Sequence, residues 1–202
     1  MEYGYGEGKI RLDKELNVLD EFVLGFTAIL GKVGIRYVLM SGYVVLLFGR
    51  PRITEDVDIF IEEIDEKKLF ALYKELQKDH WIINAGSWDT LKLLFQHNDP
   101  FRVARKNEIS PNMEVKKPRD ALGFLSLSHP VEVTINKKHK INISPLELQV
   151  AYKLYLGSKK DWEDARYLFD IFKEHLDQRK IVHFAKKLKV SSKLHNLGGS
   201  FA

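Results

Sequence analysis

Residues Arg36 to Glu62 read RYVLMSGYVVLLFGRPRITEDVDIFIE, and this stretch decides the fold. Tyr37 to Met40 form an apolar run that predicts a strand. A tight Ser41-Gly42 turn follows, then a short apolar helix to Phe48. A basic loop, Gly49 to Thr54, leads into a second strand that carries Asp56 and Asp58. Residues two apart on a strand point to one face, about 7 Å apart along the chain. Two carboxylates so placed repel each other unless a cation lies between them, and an oxygen-rich pair of this kind suits a hard ion such as Mg²⁺. Val57, Ile59 and Phe60 bury the strand and fix its direction. Upstream, Gly42 lets backbone approach a ligand closely. It also opens a helix, whose free N–H groups attract phosphate. A phosphate cradle followed by a carboxylate pair describes a site for a nucleoside triphosphate (NTP) and magnesium.

Composition bounds the reading. At 202 residues the chain predicts one domain, or one domain with a helical extension. A hydrophobic fraction of 45% supplies a sizeable core. The absence of cysteine excludes disulfides, thiolate metal sites and cysteine nucleophiles. No apolar run approaches the roughly 20 residues of a membrane span, and Met1 to Gly8 lack a signal pattern, so the expectation is a cytoplasmic protein with no membrane partner. The net charge of +4 fits either a polyanionic partner such as RNA or an ordinary solvated surface.

Outward from the central stretch, residues 1 to 9 read as loose, and Asp13 to Lys32 has helical apolar spacing. Asp65 to Gln77 predicts a second helix and Trp81 to Asn84 a short strand. Trp88 to Phe95 reads as a strand carrying Leu91, Leu93 and Phe95, with a helix as the alternative. Pro100 to Pro111 is polar and loop-like. Asn112 to Lys117 alternates as a strand, and Val131 to Ile135 with Lys140 to Ile143 reads as a hairpin. Ser144-Pro145-Leu146-Glu147 predicts a capped helix start with a capping box. Two more helices follow, over 161–173 and 178–188. The expected architecture is therefore α/β (α+β): a mixed β-sheet with flanking helices over residues 1–143, then a helical part over 144–202, with the nucleotide in the groove between them.

The Ser-Gly turn, short helix and Asp-x-Asp resemble the signature of the nucleotidyltransferase superfamily with the DNA polymerase β-like fold. Gly49, Pro51, Arg52, Thr54, Asp56 and Asp58 match the Gly-x-Pro-Arg-x-Thr-x-Asp-x-Asp pattern of the branch that includes the AbiEii-like toxins. Ser144, Pro145, Leu148, Lys153, Leu154, Lys160, Asp161 and Asp164 resemble that branch's second signature. The chain differs at Ser41, where glycine is usual, and at Ser158, where arginine is usual. The resemblance implies transfer of a nucleoside monophosphate from an NTP to a hydroxyl on RNA, tRNA or protein, and, for a toxin, an antitoxin partner.

Each candidate residue has a plainer reading beside it. Asp56 and Asp58 are either the ligands of two Mg²⁺ ions or solvated strand-end acids. A two-metal site needs a third carboxylate on an adjacent strand. Glu114, between apolar Met113 and Val115, is the choice, with Glu132 and Asp120 as substitutes; similar proteins carry Asp at that position. Ser41 and Gly42 cradle the phosphates or merely turn the chain. Arg52 is suited to bidentate phosphate contact, while Arg50 fits a surface charge equally well. Lys153 lies mid-helix among apolar neighbours, where an unpaired ammonium would be costly; a triphosphate or a metal-site carboxylate would satisfy it, or the side chain snorkels. Asp161 and Asp164 lie in a first helical turn, where acids are favoured in any case, and Asp161 is a candidate cap. Tyr43 could stack on the base or pack. Serine for the first glycine, Glu114 for aspartate and Ser158 for arginine keep a second reading open: a non-catalytic nucleotide- or RNA-binding protein of the same fold.

Overall fold

A computed structural model of the chain describes residues 2–6, 8–52 and 54–198. Its strands are β1 (Glu2–Gly6), β2 (Lys9–Asp13), β3 (Tyr37–Met40), β4 (Asp56–Ile61), β5 (His80–Ile82), β6 (Phe101–Arg105), β7 (Asn112–Lys116), β8 (Val131–Ile135) and β9 (His139–Ile143). The helices are α1 (Val18–Val33), α2 (Gly42–Leu47), α3 (Glu66–Asp79), α4 (Trp88–Gln96), α5 (Ala121–Ser128), α6 (Leu146–Leu156), α7 (Lys159–Phe172) and α8 (Gln178–Lys187). The strands form one mixed sheet in the order β1-β2-β8-β9-β3-β4-β7-β6-β5. This is the α/β architecture expected from the sequence.

The centre of the sheet follows from alternation. Val57, Ile59 and Ile61 of β4 are fully buried on one face, which turns Asp56, Asp58 and Phe60 to the other. β7 repeats the pattern, with Met113 and Val115 buried and Glu114 and Lys116 on the opposite face. β4 pairs antiparallel with β3 and parallel with β7, in a register that sets Met40 and Glu114 on either side of Asp58. α6 begins directly beyond β9, where the Ser144 N–H donates to the Leu39 carbonyl at 2.8 Å. One hydrophobic core runs from Phe22 and Phe26 of α1 through β4 to Leu154, Leu168 and Phe172 of α6 and α7.

Several local expectations are corrected. Residues 2–6 are strand β1, hairpinned onto β2, not a loose arm. Phe101–Arg105, expected within a loop, is strand β6: Phe101 and Val103 are buried and pair with Val115 and Met113. Trp88–Gln96 is helix, not strand. Leu91 and Phe95 fit either period, but Ser87 accepts from the Thr90 N–H at 3.2 Å as an N-cap, and Leu93, which a strand would bury with them, is exposed. The Ser144 capping box does not form. Pro145 takes the cap position with no side-chain bond, and Glu147 instead accepts from the Asp177 N–H at 3.2 Å. At α7 the cap is Ser158; Asp161 is its third residue and accepts from the Ser158 hydroxyl at 2.5 Å.

Candidate active site

The turn after β3 is strained at the position where glycine would be free. Ser41 has φ 60° and ψ −126°, a region that side chains other than glycine avoid at about 1–3 kcal/mol. Its N–H donates to the Gln149 Oε1 of α6 at 3.2 Å, which ties the turn to the helical part. Gly42 is closely packed: an added Cβ would lie 3.1 Å from Arg52 Nη2 and 3.2 Å from Thr54 Oγ1, so either side chain would have to give way by a few tenths of an ångström. The Arg52 guanidinium therefore lies directly against the turn, and its Nε, though buried, has no hydrogen-bond partner among the described residues. Tyr43 is fully buried and donates to Asp20 Oδ1 at 3.0 Å, which makes it a core residue and not a base-stacking platform.

Behind Arg52 lies a buried charge cluster. Asp164, fully buried, receives Arg50, Arg52 and Lys153, the last at 2.9 Å. Lys153, 2% exposed, also reaches Asp161 Oδ1 at 2.9 Å. Arg50 extends outward to the half-exposed Glu163 at 2.6 Å. Lys153 thus meets two carboxylates of this chain, one of which, Asp164, also holds Arg52 against the turn. Burial alone would raise the Asp161 carboxyl, but the Ser158 hydroxyl and the Lys153 ammonium outweigh it and hold its pKa below the ordinary value.

The acids line the open face of the sheet. Asp56 Oδ1 accepts from Asn112 Nδ2 at 2.6 Å, and the Thr54 hydroxyl donates to the Asp56 carbonyl at 3.1 Å. Asp58 Oδ1 is 2.8 Å from Lys116 Nζ, and the same ammonium contacts Glu114. Arg102 of β6 reaches Glu114 Oε1 at 3.1 Å. Burial would raise Glu114, but Lys116 and Arg102 together hold its carboxyl below the usual range. Lys116 is raised in turn: burial opposes its charge and Asp58 and Glu114 more than restore it. Of the three carboxylates considered, Glu114 lies beside Asp58. Glu132 is on β8, paired with Lys9 and Lys140, and Asp120 caps α5 by accepting from the Gly123 N–H at 2.8 Å.

Lys116 and Asn112 were absent from the sequence reading. The signal for them was the same alternation that selected Glu114, since both lie two residues from it. Among the described residues, no three His, Asp, Glu or Cys side chains gather into a metal-binding group. Asp56 and Asp58 are the donor pair whose chemistry fits a hard ion; Glu114 is already compensated by two cations.

Beyond Asp58 the face opens into a cavity of about 260 Å³ between β3, β4, α5 and α6. Met40, Phe60, Leu122 and Leu148 supply apolar walls, and Tyr152 stands at its side. Burial raises the Tyr152 phenol, and the charges it feels, Lys116, Asp120 and Asp58, place it beside the carboxylate row. Ser126 lines the same cavity with a buried hydroxyl that has no partner among the described residues. Among the described residues, no helix is long and apolar enough to cross a membrane.

Neither a family model nor a curated protein matches the chain. Solved structures do. The chain is similar to an antigenic nucleotidyltransferase-like protein from Paracoccidioides brasiliensis, with 18% identity, a TM-score of 0.52, and coverage of 91% of this chain and 94% of that one. It is similar to the antibiotic-resistance factor ANT(2'')-Ia, with 10% identity, a TM-score of 0.50, and coverage of 89% and 96%. At these identities the likeness lies in the fold alone. The chain has a nucleotidyltransferase-like fold.

Proposed function

We propose that the protein transfers a nucleoside monophosphate from an NTP to a hydroxyl acceptor. The observation that carries this reading is the close packing of the Arg52 guanidinium against the Gly42 turn, with Asp56 and Asp58 opening the next strand beside it. The β- and γ-phosphates lie on the Ser41–Gly42 turn, where backbone N–H groups and Arg52 offset their charge. Asp164 holds that guanidinium in place. The nucleoside end extends into the cavity beside Tyr152. Mg²⁺ held by Asp56 and Asp58 supplies further charge compensation for the triphosphate when bound.

In the transfer, the acceptor oxygen bonds to the α-phosphorus as the bond to the bridging oxygen of pyrophosphate breaks. The hydroxyl proton leaves to solvent, and pyrophosphate carries away the bonding pair. Arg52 stabilises charge that accumulates on the leaving group. The acceptor is RNA, tRNA or protein. Resemblance to the two branch signatures, around Gly49–Asp58 and Ser144–Asp164, supports restraint by an antitoxin in a toxin–antitoxin pair.

The test is incubation of the protein with each α-labelled NTP, magnesium, and total RNA or protein, reading both pyrophosphate and label. Label transfer with one pyrophosphate per event is expected. The second reading, nucleotide or RNA binding without turnover, is favoured by one feature, the compensation of Glu114 by Lys116 and Arg102. Magnesium-dependent NTP binding with neither pyrophosphate nor label transfer would establish it instead.

A further inference from the structure

Resting on that reading, we infer that the site takes one divalent ion, at Asp56 and Asp58, and that the Lys116 ammonium fills the place beside Glu114 where a second ion would bind. The register is the starting point. Asp58 and Glu114 lie opposite each other on neighbouring strands, and strands are about 4.8 Å apart. Two carboxylates that close require a cation between them. In this chain the cation is built in. Lys116, two residues beyond Glu114 and on the same face, sets its Nζ 2.8 Å from Asp58 Oδ1 and in contact with Glu114.

The charge around Glu114 is complete without a metal. Arg102, opposite Glu114 on the other neighbouring strand, adds a second cation at 3.1 Å. Asp58 and Glu114 together carry two negative charges, and Lys116 and Arg102 carry two positive ones. A divalent ion entering between Asp58 and Glu114 would meet an ammonium already in place and a guanidinium behind it. Asp56 differs: its Oδ1 is held by the neutral Asn112 amide, which orients the carboxylate without compensating its charge. The unbalanced charge of the row therefore lies at its Asp56 end.

The experiment counts ions. Mn²⁺ binding to the full chain is followed by electron paramagnetic resonance, alone and with each non-hydrolysable α,β-methylene NTP. Wild type is expected to saturate at one Mn²⁺ per chain beyond any carried by free nucleotide. Lys116→Met is expected to admit a second ion at least tenfold more tightly than wild type, and Lys116→Met with Glu114→Gln to return to one. Glu114→Gln alone should leave the count at one, which decides the matter should Lys116→Met fail to fold. Two ions on wild type, a folded Lys116→Met variant that still takes one, or an ion lost with Glu114→Gln overturns the inference. Failure of every analogue to bind while Mn²⁺ alone follows the expected counts sinks the transferase reading and leaves this one standing.

Discussion

Two charge clusters lie on either side of the Ser41–Gly42 turn, and they differ in what burial leaves them free to do. The inner one gathers Arg50, Arg52 and Lys153 on Asp164, which is fully buried. The outer one is the row Asp56, Asp58, Glu114 and Lys116 on the open sheet face; Lys116 is 33% and Asp58 25% exposed. Removing one member of a buried cluster strands charge where water cannot reach it. Removing one member of the outer row leaves charge that solvent or a ligand can compensate. The inner cluster therefore builds the site and the outer row is available for chemistry. Arg52 ties the inner cluster to the turn: its guanidinium is anchored on Asp164 and lies against Gly42.

The largest effect expected is at the centre of the inner cluster. Asp164→Asn leaves three cations without their shared carboxylate and should cost about 3–5 kcal/mol in urea unfolding. The exposed neighbour on the same arginine, Glu163→Gln, should change stability by no more than about 0.5 kcal/mol. Equal losses from the two would erase the distinction between the clusters.

Asp58→Asn tests the outer row. It should lower pyrophosphate release by about a hundredfold or more, the scale of losing one preorganised charge contact in a transition state. The unfolding midpoint should stay close to wild type. A large loss of stability with activity retained would place Asp58 among the structural charges.

Lys153→Met probes the inner cluster from its helix α6 side. If a bound triphosphate were its partner, as one reading of the sequence allows, NTP binding would fall about tenfold with folding intact, or about 1.4 kcal/mol. Its ammonium instead meets Asp161 and Asp164, so the expected result is a stability loss of about 1–3 kcal/mol. Any loss of NTP affinity should be recovered at a temperature where the variant is fully folded. Weakened binding by a fully folded protein would restore the direct role.

Smaller effects sharpen the picture. Ser41→Gly relieves the positive φ at the cost of some chain entropy, a net gain of about 0.5–1 kcal/mol, or roughly 2 °C in the melting midpoint. No gain would mean that the Gln149 contact, and not the turn conformation, sets the local stability. Asp161 has a folded pKa below its unfolded one. Its contribution is therefore present above the unfolded value and lost as pH falls through the folded one, a window below about pH 4. Wild type should lose more of its melting midpoint between pH 5 and pH 3 than Asp161→Asn does, and parallel curves would argue against the Lys153 pairing.

What could be read in the linear chain was set by near neighbours. Strand alternation turned Asp56 and Asp58 to one face, glycine allowed the tight approach at residue 42, and apolar periodicity placed α6, α7 and α8. The mixed sheet followed from those elements. The same alternation brought Glu114 forward, and its side-by-side placement with Asp58 came from strand register. Where two periods coincided, as at Leu91 and Phe95 of α4, the local signal did not choose, and an N-cap decided. The polar cast of 100–111 hid β6, because its buried residues Phe101, Val103 and Ala104 gain their partners from β5 and β7, which only the fold brings alongside.

Tertiary structure alone decided which charges meet. Lys116 is separated from Asp58 by 58 positions and Asp164 from Arg52 by 112, so no local pattern joins them. Propensity and periodicity act over a few residues, whereas an ion pair depends on the final positions of whole elements. That is why the acids of this site were legible in the sequence while the pairings of Lys116 with Asp58 and of Arg52 and Lys153 with Asp164 became visible only in the fold.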